Sequence, residues 1–311
     1  MTETARPAHE PSAEALRWVE RAAGTGARVR SASPLAGATS SLLYAVEVER
    51  GGVAFELVLR QFASAEWLKE EPDLARHEAE ALRRAARAGI PAPELVAFDE
   101  TGDEAGGRPS TLMTRLPGRV VLRPDDSGAW ARGLAEAAVS VHEVPAGDFP
   151  WEFYPYTDPA RAAPPEWSSA RGLWERAIET ARGPRPAFIP RFIHRDYHPN
   201  NVLWQGGRVS GVVDWVNACR GPGGFDVTWC RQNLALLHGV AEADRFLSAY
   251  ERAAGSGSEY HPYWDLLALT ELTAGPPGVY EGWAAFGVEG LTDELTSRRA
   301  DEYLASVLAR V

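Results

Sequence analysis

The stretch Phe192–Trp204, FIHRDYHPNNVLW, decides how the rest of the chain is read. A short apolar start runs into His194-Arg195-Asp196, a turn follows around Pro199, and Val202-Leu203-Trp204 resumes an apolar run. A plain connecting loop needs only turn formers. Here Asp196 and Asn201 flank the Pro-containing turn, so both side chains can face one cleft. Shortly after, GVVDW places Asp214 at the end of an apolar strand, a loop-edge position open to a ligand. Mg²⁺ takes oxygen ligands and accepts one or two from protein, the rest from phosphates and water. Asn201 and Asp214 supply such oxygens, which leaves Asp196 to accept a proton from an attacking hydroxyl. Each residue alone reads as a turn former or a strand-end cap. The three in this order, followed by Asp226 in GGFDV, point to chemistry.

A second constellation lies upstream. Arg60, in LVLRQF, shares a strand face with Val58 and Phe62. Glu78 lies on the following helix among Leu74, Leu82 and Ala86, spaced four apart. A cation on an apolar strand and a carboxylate on an apolar helix face each want a partner, and pairing them would place a guanidinium over a phosphate site. Between two strands, LAGATSS at 35–41 is a small-residue turn whose backbone N–H groups and hydroxyls could meet phosphates.

These stretches sit in a chain of 311 residues, 45% hydrophobic and 24% charged, long enough for two lobes. LLYAVEVE and VAFELVLRQF, joined by Arg50-Gly51-Gly52, read as a hairpin. A helix closed by Gly89 and Pro91 follows, and PELVAFDE and PSTLMTRL complete a small sheet. The character changes at Pro117-Gly118-Arg119. A helical run, GAWARGLAEAAVSVHEV, leads into FPWEFYPYTDPARAAPPEW, which reads as an irregular insertion. Helices are expected around 225–237, 241–254, 262–273 and 291–310. The expected organisation is α+β: a β-rich lobe over 1–116, with 1–12 disordered, and a mostly helical lobe over 117–311.

The net charge of −11 argues against a nucleic-acid partner, which needs a basic face. Two cysteines, Cys219 and Cys230, make neither a zinc pattern nor a disulfide scaffold. With no apolar leader and no run approaching a membrane span, the expectation is a cytoplasmic protein without membrane contact. Cys219 reads as a buried, inert thiol, and His142 as a packed histidine at a helix end. Oligomeric state is not legible.

His194-Arg195-Asp196, four residues and Asn201 have the order of a kinase catalytic loop. With LAGATSS, LVLRQF, HEAEAL, LMTRLPGR, VSVHEVP and GVVDW…GGFDV, the chain resembles the aminoglycoside phosphotransferase family, small-molecule kinases of protein-kinase-like fold. The resemblance runs from about residue 30 to about 255. It implies that Asp196 is the catalytic base and that Asn201 and Asp214 hold Mg²⁺. It also implies that Arg60, oriented by Glu78, meets the phosphates of ATP or GTP, with Gly37, Thr39 and Ser40 in the phosphate turn. Thr114 and Leu116 would offer backbone groups to the nucleotide base, with Met113 behind it. His194 would brace the loop, with His198 beside it.

Three features depart from the family pattern. Arg60 stands where Lys is usual, and an arginine forks to two oxygens but reaches differently. Ala38 replaces a common glycine. Asn217 and RGPGGFD replace acidic patterns after the metal Asp. The acceptor, a small molecule with a hydroxyl such as an aminoglycoside-like antibiotic or a metabolite, is expected among the C-terminal helices and the insertion. Trp264, Asp265, Glu271 and Glu281 are the candidates there, since carboxylates among aromatic rings suit a cation. A non-catalytic nucleotide-binding module remains the alternative. A protein kinase fits less well, since neither DFG near Asp214 nor APE is present.

Overall fold

The computed structural model describes residues 10–35, 41–87 and 91–311. Gly37, Ala38, Thr39 and Ser40 of the phosphate turn, and Gly89 after the helix, lie outside the described residues. The chain divides into two compact units, Met1–Leu116 and Pro117–Val311.

The first unit opens with α1 (Ala13–Ala22), whose N-cap Ser12 accepts the Ala15 N–H at 3.1 Å. Ser12 is thus an ordered capping residue rather than part of a disordered tail. Five antiparallel strands follow: β1 (Arg28–Pro34), β2 (Leu42–Arg50), β3 (Val53–Gln61), β4 (Leu95–Asp99) and β5 (Ser110–Thr114), in the order β1-β2-β3-β5-β4. Gly51 and Gly52 join β2 to β3 with φ of +61° and +81°, the mirror-image turn that only glycine adopts freely in a two-residue hairpin. Leu57 and Leu59 pack with Trp18 and Val19 of α1. Strand alternation then sends Val58 and Arg60 to the opposite face.

Two helices, α2 (Ala65–Glu70) and α3 (Leu74–Arg87), complete this unit. On α3 the buried stripe runs Leu74, Glu78, Leu82 and Ala85, whereas Ala86 is exposed. A spacing of four over-rotates by about 40° per step relative to a 3.6-residue turn, so its third repeat leaves the face.

The second unit contains α4 (Ser127–His142), α5 (Arg171–Arg182), α6 (Gly223–His238), α7 (Val240–Ala254), α8 (Pro262–Leu269), α9 (Glu281–Ala285) and α10 (Asp293–Leu308). β6 (Arg119–Val120), β8 (Val202–Gln205) and β9 (Arg208–Val212) form one small sheet; β7 (Arg191–Ile193) and β10 (Cys219–Gly221) form another. α5 was not foreseen, although Trp174, Ala177, Ile178 and Ala181 bury one helical stripe. The insertion at 149–167 is irregular apart from one 3-10 turn, Pro159–Arg161.

Candidate active site

The loop that opened the argument connects β7 to β8. β8 pairs with β9 in a register that sets Val202 opposite Val212, and the Val213 N–H donates to the Asn201 carbonyl at 2.9 Å. The hairpin therefore carries Asn201 and Asp214 on adjacent strand ends, thirteen positions apart in sequence but neighbours across the ladder. His194 Nε2 donates to the Val213 carbonyl at 2.9 Å, and its ring lies 4.8 Å from that of Trp215. It ties the loop to the residue before Asp214, the bracing expected of it.

Asp196 is held from three sides. Asn201 Nδ2 donates to its backbone carbonyl at 2.9 Å and to Oδ2 at 3.2 Å, and Trp229 Nε1 donates to Oδ1 at 2.8 Å. His198 Nε2 stands 3.6 Å from Oδ1. Burial pushes the Asp196 carboxyl up, but the His198 and His194 imidazoles and the bond from Trp229 outweigh it and leave it below its ordinary value. Burial likewise lowers His198, and Asp196 and Asp214 more than restore it, so its affinity for a proton is raised. The result is an aspartate that is ionised at neutral pH, oriented by two donors and 23% exposed. It can accept a hydrogen bond from an incoming hydroxyl.

The fit to Mg²⁺ rests on the donor set. Asn201 spends its amide hydrogens on Asp196, which turns Oδ1 of the same amide away as a hard oxygen donor, and Asp214 adds a carboxylate. Among the described residues no cluster of three His, Cys, Asp or Glu could enclose a metal ion. Two oxygen ligands from neighbouring strand ends suit a cation that shares its shell with phosphates and water.

Asp226, on the first turn of α6, is the anchor beneath this loop. It has no exposed surface. Its Oδ2 accepts the His194 N–H at 2.8 Å and its Oδ1 the Arg195 N–H at 2.6 Å, while His142 Nε2 lies 3.1 Å from Oδ2. Arg195 has φ of +67° and Asp214 +69°, the two described non-glycine residues in that region. Such conformations cost on the order of 1–3 kcal/mol each and persist where neighbouring contacts enforce them. Asp226 enforces the first.

The run Gly223-Gly224 that precedes it is a packing requirement. A Cβ on Gly224 would sit 2.7 Å from the Glu259 carbonyl oxygen and from Trp264 Cδ1, and one on Gly223 3.2 Å from His142 Nδ1. The glycines let α6 begin against these groups, so this departure from the family pattern serves packing of the helix start.

One wall near Asp196 is aromatic. The Arg195 guanidinium lies 3.8 Å from the ring centre of Tyr154 and 4.2 Å from that of Tyr156. Tyr156 packs on Trp229, which stacks on Phe225. Glu271 lies within electrostatic range of Asp196 and Arg195. Burial raises its carboxyl, Asp196 raises it further and Arg195 opposes, for a value of about 7. Of the expected acceptor residues whose side chains are described, Glu271 is the one within electrostatic range of Asp196.

Two of the others belong to the interior. Asp265 has no exposure: Oδ2 accepts from Arg231 Nη1 and the Tyr260 hydroxyl, both at 2.5 Å, and Oδ1 from the Tyr303 hydroxyl at 2.6 Å. Three side-chain donors already bind it and it has no surface in contact with solvent, so it is closed to a ligand. Trp264, 1% exposed, packs with Ala181, Tyr263 and Leu267. Glu281 opens α9, and its side chain lies outside the described residues. The sequence reading missed Tyr154, Tyr156 and Trp229 as site residues, and left Asp226 without a role. Their only signals were an aromatic cluster in the insertion and an acidic residue after a glycine run.

In the first unit, Arg60 Nε lies 3.3 Å from Glu78 Oε1, both side chains almost fully buried, so the expected partners do meet. Met113, 5% exposed, sits on β5 between Val58 and Leu95. The Thr114 N–H donates to the Glu94 carbonyl at 2.9 Å. Cys219 and Cys230 are buried, and burial raises both thiols.

A sequence model described as the phosphotransferase enzyme family matches residues 31–268. The chain belongs to that family. It is 29% identical to a homoserine kinase of Methylobacillus flagellatus over 238 residues, 71% of this chain and 70% of that protein. The match to a homoserine kinase of Mesorhizobium japonicum is 30% over 181 residues, 48% of this chain and about half of the relative, 53%. Among solved structures, an aminoglycoside-3'-phosphotransferase of type VIII superposes with a TM-score of 0.57 at 22% identity, covering 85% of this chain and 99% of the other. A macrolide 2'-phosphotransferase from Brachybacterium faecium gives 0.56 at 19%, covering 94% and 98%. At these identities the likeness shows the fold, the α+β protein-kinase-like fold of small-molecule phosphotransferases. No helix among the described residues is long and apolar enough to cross a membrane.

Proposed function

We propose that the protein transfers the γ-phosphate of ATP to the hydroxyl of a small molecule that also carries an ammonium group. The observation that carries this reading is the set Asp196, Asn201 and Asp214, gathered on one loop and the hairpin that follows it. Asp196 accepts the hydrogen bond of the acceptor hydroxyl and takes its proton as the oxygen attacks phosphorus in line; the departing ADP oxygen keeps the bonding electrons. Asn201 and Asp214 would hold Mg²⁺, which supplies neutralisation of phosphate charge when bound. Arg60, fixed by Glu78, binds nucleotide phosphate as a fork. ATP as donor is supported by a structurally similar aminoglycoside phosphotransferase described in ternary complex with AMP-PNP and hygromycin B.

The ammonium follows from Glu271. A carboxyl raised to about 7 within electrostatic range of the ionised Asp196 and of Tyr156 is relieved by a cation and aggravated by an anion. Homoserine, after which the relatives are named, and the amino sugars both fit this description.

The test is a panel of L-homoserine, hygromycin B, a macrolide and their des-amino analogues, scored by ADP release. Turnover is expected with amine-bearing acceptors and is lost at least 1,000-fold in Asp196→Asn, with nucleotide affinity retained. Nucleotide binding without transfer across the whole panel would leave a non-catalytic nucleotide-binding module. Wild-type turnover in Asp196→Asn would remove its assignment as the base.

A further inference from the structure

We infer that Arg195 receives a carboxylate of the acceptor, which makes the acceptor a hydroxyl-bearing amino acid rather than an amino sugar. The inference deepens the proposed function and rests on it for the identity of the pocket.

Buried charges in proteins are paired. Arg195 departs from that rule. It is 2% exposed, yet no carboxylate among the described residues forms an ion pair with its guanidinium. The Tyr154 hydroxyl stands near enough to accept one hydrogen bond from it. Nε and Nη2 are buried and find no partner among the described residues. The ring centres of Tyr154 and Tyr156, 3.8 and 4.2 Å from Cζ, answer part of the charge. A ring face is a weak acceptor, however, and leaves the N–H fork without oxygen partners.

The backbone adds a second observation. Arg195 has φ of +67°, a conformation that glycine would adopt without penalty. An arginine there carries backbone strain as well as an unpaired buried charge. The second cost disappears when the guanidinium meets an anion.

The neighbours say which anion. Arg195 directly precedes Asp196, and Glu271 lies within electrostatic range of both. Tyr156, against the guanidinium, packs on Trp229, whose Nε1 donates to Asp196. The guanidinium thus belongs to the wall where the acceptor is proposed to lie. Tyr154 and Tyr156 are 49% and 36% exposed, so this wall borders solvent. An acceptor with ammonium groups alone satisfies Glu271 and leaves Arg195 bare. An acceptor with carboxylates alone is repelled by Glu271 and Asp196. A hydroxylated zwitterion satisfies all three: its ammonium meets Glu271, its carboxylate takes the fork of Arg195, and its hydroxyl faces Asp196.

The test pairs a change in the protein with a change in the ligand. L-homoserine, L-serine and L-threonine are each compared with their carboxamides, in wild type and in Arg195→Met. In wild type, kcat/KM should favour the acid of the accepted pair by about 10- to 100-fold, carried mainly in KM. In Arg195→Met that preference should collapse to within about threefold. A merely structural role would slow acid and amide equally; a preference that survives in Arg195→Met therefore overturns the inference. If Arg195→Met does not fold, Arg195→Gly, which relieves the backbone, takes its place with the same expected collapse, and retained preference again overturns it.

Equal turnover of acid and amide in wild type, or turnover of hygromycin B as good as that of the amino acids, overturns the inference and leaves the proposed function standing. If nothing turns over, the proposed function falls, and calorimetry in the presence of AMP-PNP and Mg²⁺ decides this inference by itself. Acid binding at least about tenfold tighter than amide binding, in wild type but not in Arg195→Met, sustains it. Equal affinities, or no binding of any of the three acids, overturn it.

Discussion

Asp226 and Asp265 look alike on every simple measure. Both are aspartates near the start of a helix in the second unit, and both have no exposed surface. Their partners separate them. Asp226 is bonded to two backbone N–H groups of a loop and to one imidazole. Asp265 is bonded to a guanidinium and two phenols that rise from α6, α10 and the segment before α8. A carboxylate that receives main-chain N–H groups fixes a loop conformation; one that receives side chains fixes how helices pack. Burial alone marks neither as functional, and the identity of the donors assigns the role.

The sharpest way to break this comparison is to make the same change at both. Asp226→Asn presents amide hydrogens to donors that have nowhere to turn, and the loop carrying Asp196 shifts. A displacement of about 1 Å at a reacting group can cost on the order of 100-fold in rate. We expect kcat to fall by about that factor or more in the protein that still folds, with KM for ATP little changed. Asp265→Asn leaves Arg231 buried beside one fewer negative charge, and breaking a buried pair costs about 3–5 kcal/mol. Denaturant unfolding should show that loss, while kcat of the folded enzyme stays within about twofold. A large kcat effect at Asp265 without a stability loss would erase the distinction.

Glu271, half-buried, is a third carboxyl that sharpens the contrast, because among the described contacts its neighbours act through charge. Its value of about 7 stands above the 4.5 expected unfolded. Between those values the folded state holds a proton that the unfolded state releases, so stability falls as pH rises from about 4.5 to about 7. Glu271→Gln should remove that fall and stabilise the protein at pH 8 by roughly 1–3 kcal/mol. An ammonium-bearing acceptor favours the ionised form, so its KM should drop as pH rises through about 7 in wild type and stay flat in Glu271→Gln. A KM that ignores pH in wild type would detach Glu271 from the acceptor.

How much of this was legible in the sequence depends on the range of the contact. The hairpins at Gly51-Gly52 and Gly206-Gly207, and the loop from His194 to Asn201, are written in residues adjacent in the chain. So is the joining of Asn201 to Asp214, because one hairpin register delivers both. The role of Asp226 was not legible, since its partners lie 31, 32 and 84 positions away. Asp265 was misread for the same reason: a carboxylate between aromatic residues suits a ligand site and a buried tyrosine network equally, and its decisive contacts to Arg231 and Tyr303 are 34 and 38 positions distant. The stripe of α5 was readable and was passed over between two irregular segments. Tyr154 and Tyr156 gave an aromatic signal without an address, because no periodicity places them.

The smallest effect tests where the Asp265 network ends. Asp244 accepts from Arg231 at 2.9 Å on its inner side and from Arg310 at 2.7 Å on its outer side. The same carboxylate thus takes part in a buried ion pair and in a surface one. Arg231 has no exposed side chain, whereas Arg310 and Asp244 are each more than a third exposed. Exposed ion pairs are screened by water and salt and contribute about 0.2–1 kcal/mol. Arg310→Ala should therefore cost no more than about 0.5 kcal/mol in denaturant unfolding, with that cost vanishing at high salt. A loss near that of Asp265→Asn would mean that the network is anchored from the surface inward, and that the carboxylate at its centre depends on an arginine in contact with solvent.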